Sequence, residues 1–187
     1  MLPQEREFML YLPLYDGIDK LEIGIDPGAE IVASELNSPD RENPIVMYGT
    51  SILQGASASR PGMAATNIIG RRFDREVVNL GFSANAFLDK EIAELMSEVE
   101  ASAYVLDFVP NASVSQIKEL TIPFYRILRK KHRTTPIIFV EDPQFPSAVY
   151  NRVLADEIRE KNEALQLVYK ELQKEKEKNM NIYEHYR

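Results

Sequence analysis

Apolar and polar residues alternate with period two near the start of the chain. Leu10, Leu12 and Leu14 interleave with Tyr11, Pro13 and Tyr15, and Leu21, Ile23 and Ile25 interleave with Glu22, Gly24 and Asp26. Asp16-Gly17 lies between the two runs and is a tight-turn signal, so residues 8–32 read as a β-hairpin with one apolar face. Pro13 confines the first strand to a sheet edge. The polar stretch 33–43 (ASELNSPDREN) reads as a linker.

From residue 44 the pattern changes. Short continuous apolar runs at 44–48 (PIVMY), 76–80 (EVVNL), 103–109 (AYVLDFV) and 136–140 (PIIFV), with a weaker one at 179–183 (NMNIY), are separated by helical stretches near 62–73, 89–100, 113–132 and 147–178. Continuous rather than alternating runs suit strands covered on both faces. Ser113 is the expected N-cap of the third helix. Lys130, Lys131, His132 and Arg133 at its other end suit the negative pole of the helix dipole. Leu154, Ile158, Leu165, Val168 and Leu172 form one stripe on the last helix, whose end KELQKEKEKN is solvated. The alternation predicts an α/β fold: a three-layer α/β/α sandwich on a mostly parallel five-stranded sheet, preceded by the short hairpin. The expected boundaries are 1–40 for the β segment with its linker and 41–187 for the α/β domain.

Composition narrows the chemistry. The 187 residues contain no cysteine and two histidines, His132 and His185. Disulfides, thiolate-held zinc, iron–sulfur clusters, thiol nucleophiles and a His-rich metal site are thereby excluded. Twenty-two basic against 29 acidic residues leave a net charge of −7, against a nucleic-acid partner. No apolar run approaches the ~20 residues that span a bilayer, and the N-terminus is not a signal peptide as it stands. This points to the cytoplasm for the chain as written, or to a secreted or periplasmic protein if a leader precedes it.

Ligands of parallel sheets sit beyond the C-terminal strand ends. The first such segment carries Gly49-Thr50-Ser51, where Ser51 reads equally as a nucleophile, a phosphate binder or a helix cap. Ser57 and Ser59, further on, read as solvated. The second carries Asn79-Leu80-Gly81-Phe82, whose glycine permits close backbone approach, and the third Pro110-Asn111. Asn111 is a turn residue or a neutral donor to a developing oxyanion. Asp107, within the third strand, reads as a structural carboxylate.

Three such segments in order, at three strand ends, resemble the SGNH (GDSL-like) hydrolase superfamily over residues 44–183. The LYLPLYDGIDKLEIGI stretch is similar to the end of the small β-domain of one esterase subgroup, often linked to carbohydrate esters. The resemblance implies Ser51 as nucleophile, Gly81 and Asn111 with the Ser51 N–H as oxyanion hole, and Thr50 and Phe82 at the substrate. It implies no metal or organic cofactor, and as partner a small-molecule or carbohydrate ester. The family's Asp-x-x-His is not matched: His185 has Ile182 three residues before it, and His132 is expected at the opposite sheet edge. The chain therefore reads as truncated at both ends, a poor esterase as written, and open to self-association through uncovered sheet surface. The alternatives are an inactive scaffold binding sugar or a partner chain, and a flavodoxin-like phosphate or flavin binder. A receiver-type domain is disfavoured, because no acidic pair follows the first strand.

Overall fold

The computed structural model describes residues 6–34, 39–174 and 179–184. Five strands, β1 (Asp40–Gly49), β2 (Arg75–Gly81), β3 (Ala103–Asp107), β4 (Ile137–Val140) and β5 (Met180–Tyr183), form one sheet in the order β2-β1-β3-β4-β5. Every neighbouring pair is parallel. Five helices connect or follow them: α1 (Ser51–Gln54), α2 (Ala65–Phe73), α3 (Lys90–Met96), α4 (Val114–Lys131) and α5 (Arg152–Lys174).

The register sorts side chains to two faces, because parallel partners point the same way. Val46, Tyr48, Tyr104, Leu106, Ile137 and Phe139 share one face. They form the main core with Ala93 and Met96 of α3, Ile117, Phe124 and Leu128 of α4, and Leu165, Val168 and Leu172 of α5. The stripe read from the sequence of the last helix is the one that is buried, with Leu154 half-buried at its start. On the other face lie Met47, Asn79, Val105 and Ile138. Here α1 and α2 pack over β1 and β2. Asn79 ties them down, its Nδ2 donating to the Leu53 and Gln54 carbonyls, both at 3.3 Å, and to Thr66 Oγ1 at 3.1 Å. Val105, Ile138 and Val140 on this face are only half-buried.

Local signals explain the helix ends. Ser113 caps α4 in a complete capping box: its Oγ accepts from Gln116 N–H at 3.3 Å, and Gln116 Oε1 accepts from Ser113 N–H at 2.8 Å. The helix read at 147–178 is in fact a 3-10 turn at Pro146–Val149 followed by α5, and the one read at 89–100 is the shorter α3.

Two expectations are corrected. Residues 6–34 contain no strand, so the hairpin at 8–32 does not form. An alternating pattern specifies a strand only where a second edge supplies hydrogen bonds and a surface to cover the apolar face. Here Leu21, Ile23 and Ile25 remain about half exposed, at 56%, 60% and 49%. Of the linker read at 33–43, residues 35–38 lie outside the described residues, and Asp40 to Asn43 belong instead to β1. Arg75 holds them through an ion pair with Asp40 at 3.1 Å and hydrogen bonds to the carbonyls of Glu42 and Asn43.

Candidate active site

The chain leaves β1 for β2 on one side and later enters β3 on the other, so strand order reverses between β1 and β3. Such a switch point opens a crevice at the C-terminal strand ends. Ser51 lies two residues beyond β1 and Asn111 four residues beyond β3. A cavity of about 390 Å³ opens there, within the ~300–1,000 Å³ typical of small-molecule sites. Thr50, Ser51, Asn111, Asp142, Glu157 and Lys161 supply its polar wall, and Phe145, Leu154 and Ile158 its apolar one.

The β1 end is shaped by close contacts. A Cβ on Gly49 would stand 2.5 Å from the Asp107 carbonyl oxygen, so only glycine lets β1 and β3 lie together at this point. Thr50 is fully buried and caps α1, its Oγ1 accepting from Ile52 N–H at 3.4 Å. Ser51 is the first helical residue and is half-buried. Among the described residues its hydroxyl meets no hydrogen-bond partner.

Asn111 is fixed by two turns. Its backbone N–H donates to the Phe108 carbonyl at 3.1 Å, and its side-chain Nδ2 to the Asn85 carbonyl at 2.6 Å. A primary amide has two N–H bonds, so one remains for a ligand. The loop that offers Asn85 has Ala84, Ala86 and Leu88 at φ of 55°, 68° and 66°. Such left-handed backbone is costly for residues with a Cβ and tends to gather at functional sites. The buried Tyr48 hydroxyl steadies it, accepting from Leu88 N–H at 2.9 Å. Burial pushes the Tyr48 phenol up to about 12.

Gly81 and Phe82 do not line the cavity. The Gly81 N–H already donates to Asn79 Oδ1 at 2.9 Å. What Gly81 contributes is space, since a Cβ there would meet the Gln54 backbone N at 2.3 Å. Phe82 packs toward the core, its ring 6.1 Å from that of Tyr48. Ser57 is exposed but reaches the rim, while Ser59 is exposed.

His132 sits at the opposite edge of the sheet. It caps the C-terminus of α4, with 5% of its surface exposed, Nε2 2.9 Å from the Ser97 carbonyl and its ring 5.2 Å from Tyr104. It is a core histidine. His185 lies outside the described residues.

On the acidic side of the cavity the sequence marks Glu141-Asp142-Pro143 as a fourth strand-end segment but assigns it no role, and it does not single out Glu157 or Lys161. Asp142 follows β4 and is clamped by Asn162 of α5: its N–H donates to Asn162 Oδ1 at 2.8 Å, and its carbonyl accepts from Asn162 Nδ2 at 3.0 Å. Burial raises its carboxyl to about 6, against the opposing charge of Lys161. Burial, and then the charge of Asp142, raise Asp107 to about 7. Lys161 is 8% exposed. It pairs with Glu157 at 2.8 Å and donates to the Pro110 carbonyl at 3.0 Å, bracing the turn that presents Asn111. Glu141-Asp142 stands at a strand end like the other segments; the spacing of Lys161 from Glu157 by one helical turn was the available signal for the rest. Among the described residues no group of histidines and carboxylates is arranged to hold a metal ion.

A serine on a tight strand-to-helix turn, facing an asparagine amide across a switch-point cavity, defines the class as a parallel α/β protein of the SGNH hydrolase type. Comparison with known proteins agrees. The GDSL-like lipase/acylhydrolase family model matches residues 42–186, and a model for the N-terminus of SGNH-hydrolase-type esterases matches residues 1–31. The chain belongs to the GDSL-like lipase/acylhydrolase family. A GDSL-like lipase from Bacteroides ovatus shares 38% identity over 94% of this chain, with a TM-score of 0.87. The match takes in 51% of that protein, so this chain spans about half its length. The fold is shared with the salicylyl-acyltransferase SsfX3 of a tetracycline biosynthetic pathway (19% identity, 76% of this chain and 42% of that one, TM-score 0.62). It is shared also with a lipase/acylhydrolase from Enterococcus faecalis (18%, 77% and 76%, 0.54). No curated protein matches the chain.

Proposed function

We propose that this chain carries the nucleophile and the oxyanion donors of a serine ester hydrolase acting on small carboxylic esters, among them acylated carbohydrates. The observation that carries the reading is the shared cavity of Ser51 and Asn111 at the strand-order switch. Ser51 Oγ attacks the acyl carbon while its proton passes to a base, and the carbonyl oxygen becomes an oxyanion. The free N–H of the Asn111 amide and the Ser51 backbone N–H donate to that oxyanion. Collapse expels the alcohol with a proton, and water then releases the acid from the acyl-serine. Gly81 shapes the hole by letting α1 approach β2. Thr50 caps the turn that presents Ser51 to the substrate, and Phe82 supports the neighbouring loop from behind. Phe145, Leu154 and Ile158 offer an apolar wall to the ester.

No imidazole lines the cavity among the described residues, and this observation favours a second reading, an inactive scaffold that binds sugar, acylated or free, or a partner chain. Family membership displaces the flavin-binding alternative. The test is a fluorophosphonate probe with mass mapping, beside turnover of an activated acetyl ester. The hydrolase reading expects labelling at Ser51, none in Ser51→Ala, and turnover reduced roughly 10²–10³-fold in Asn111→Ala with little change in KM. Labelling that persists in Ser51→Ala refutes the nucleophile. Ester binding without labelling or turnover selects the scaffold.

A further inference from the structure

The N-terminal segment touches the α/β domain mainly through residues 11–15, and these contacts converge on one place. Tyr15 Oη donates to the Ser51 carbonyl at 3.1 Å. Gln54 Nε2, at the end of α1, donates to the Leu14 carbonyl at 3.0 Å. The Leu14 side chain fills the space over Gly55, where a Cβ would stand 2.4 Å from its Cδ1. The Tyr11 ring covers Gly62 in the same way, with the Arg71 guanidinium 5.2 Å from its centre. Further along, Gly17, Gly24 and Gly28 have nothing near the position of a Cβ.

The target of these contacts cannot hold itself. α1 has four residues, and one helical turn is an unfavourable nucleus whose hydrogen bonds do not offset the order they require. The Ser51 carbonyl is its hub, accepting from Gly55 N–H at 3.2 Å, from Ala56 N–H at 2.8 Å and from Tyr15. Gln54 extends the link across the site, because its Oε1 accepts from Ser83 N–H at 3.0 Å in the loop after β2. A displacement of about 1 Å at a reacting group can cost roughly a hundredfold in rate, so the geometry of this turn bears directly on reactivity.

We propose that the N-terminal segment is part of the reaction centre, with Tyr15 as a positioning residue that fixes the Ser51 peptide while Leu14 and Gln54 clamp the turn behind it. The role rests on Ser51 being the nucleophile. Tyr15 touches neither the substrate nor the Ser51 hydroxyl; it acts through the carbonyl. Gly62 is then a docking notch for this segment, while Gly55 serves twice: at φ 115° it caps α1 in the left-handed region, and its missing Cβ leaves room for Leu14.

The experiment compares the full chain with Tyr15→Phe and Gln54→Glu. Phenylalanine keeps the ring and removes the donor. Glutamate keeps an acceptor for Ser83 and loses the donor to Leu14. Three quantities are read: the maximal rate of fluorophosphonate labelling at Ser51, the probe's half-saturating concentration, and amide exchange at Gly55 and Ala56. Loss of one such hydrogen bond corresponds to roughly a 3–10-fold lower labelling rate, with half-saturation and Tm essentially unchanged. Exchange at Gly55 and Ala56 rises in parallel. Parent-like labelling and exchange in both variants overturn the positioning role and leave Ser51 as nucleophile. A rate that falls only together with Tm also overturns it, since the segment would then be stabilising the fold alone. A parent chain unlabelled at Ser51 overturns the nucleophile assignment, and the positioning role falls with it.

Discussion

Asp107 is where protonation should be most visible in stability. Its carboxyl lies at the end of β3 beside Gly49, on the sheet face over which α1 and α2 pack. Burial is the main cause of its rise to about 7, and Asp142 adds to it. Asp142 ionises first, at about 6, helped by Lys161; Asp107 must then ionise against a charged neighbour. Relative to 3.8, the shift is about three units, a ceiling of ~4 kcal/mol. The side chain is only partly buried, and screening reduces the expected penalty to ~2 kcal/mol.

The sign follows from proton counting. Between pH 4 and 7 the folded chain binds more protons than the unfolded one, so stability falls as pH rises across that window. Asp107→Asn removes the ionisation and keeps the shape. Urea unfolding at about pH 4.5, 6 and 8 should show the variant near parity with the parent at the lowest pH. At the highest it should be more stable by ~2 kcal/mol, on a flatter profile. A difference that does not change with pH, or a less stable variant at high pH, would refute the burial argument.

Two further outcomes concern the frame of the site. Ser113→Ala breaks the capping box of α4 and should cost ~1 kcal/mol in thermal unfolding, with no change in labelling at Ser51. Gly81→Ala forces a methyl against the Gln54 backbone and should cost ~3 kcal/mol or prevent soluble expression; a fully stable variant would show that α1 can back away from β2.

The division between sequence and tertiary structure follows the range of the forces involved. The core strands, the order of the α/β units and the cap of α4 are local matters of hydrophobic period and hydrogen-bonding side chains, so residues 44–174 were legible as a linear pattern. The strand-end segments with Ser51 and Asn111 were legible too, because a parallel sheet sends each strand's exit to one edge. Only the folded chain decided the rest. The alternation at 8–32 names a strand, but strand formation depends on a partner edge, which the local pattern does not contain. Asn79 reads as part of the second strand-end segment, yet it occupies the Gly81 N–H and ties α1 to α2, contacts that depend on which face β2 turns to the helices. Asp142 and Lys161 lie 91 and 110 residues beyond Ser51 in the chain. Their place beside it follows from the strand order β1-β3-β4 and from α5 crossing back over the cavity. Tyr15 stands 36 residues before Ser51, and its reach to that carbonyl depends on two missing methyl groups, at Gly55 and Gly62, that let the segment dock.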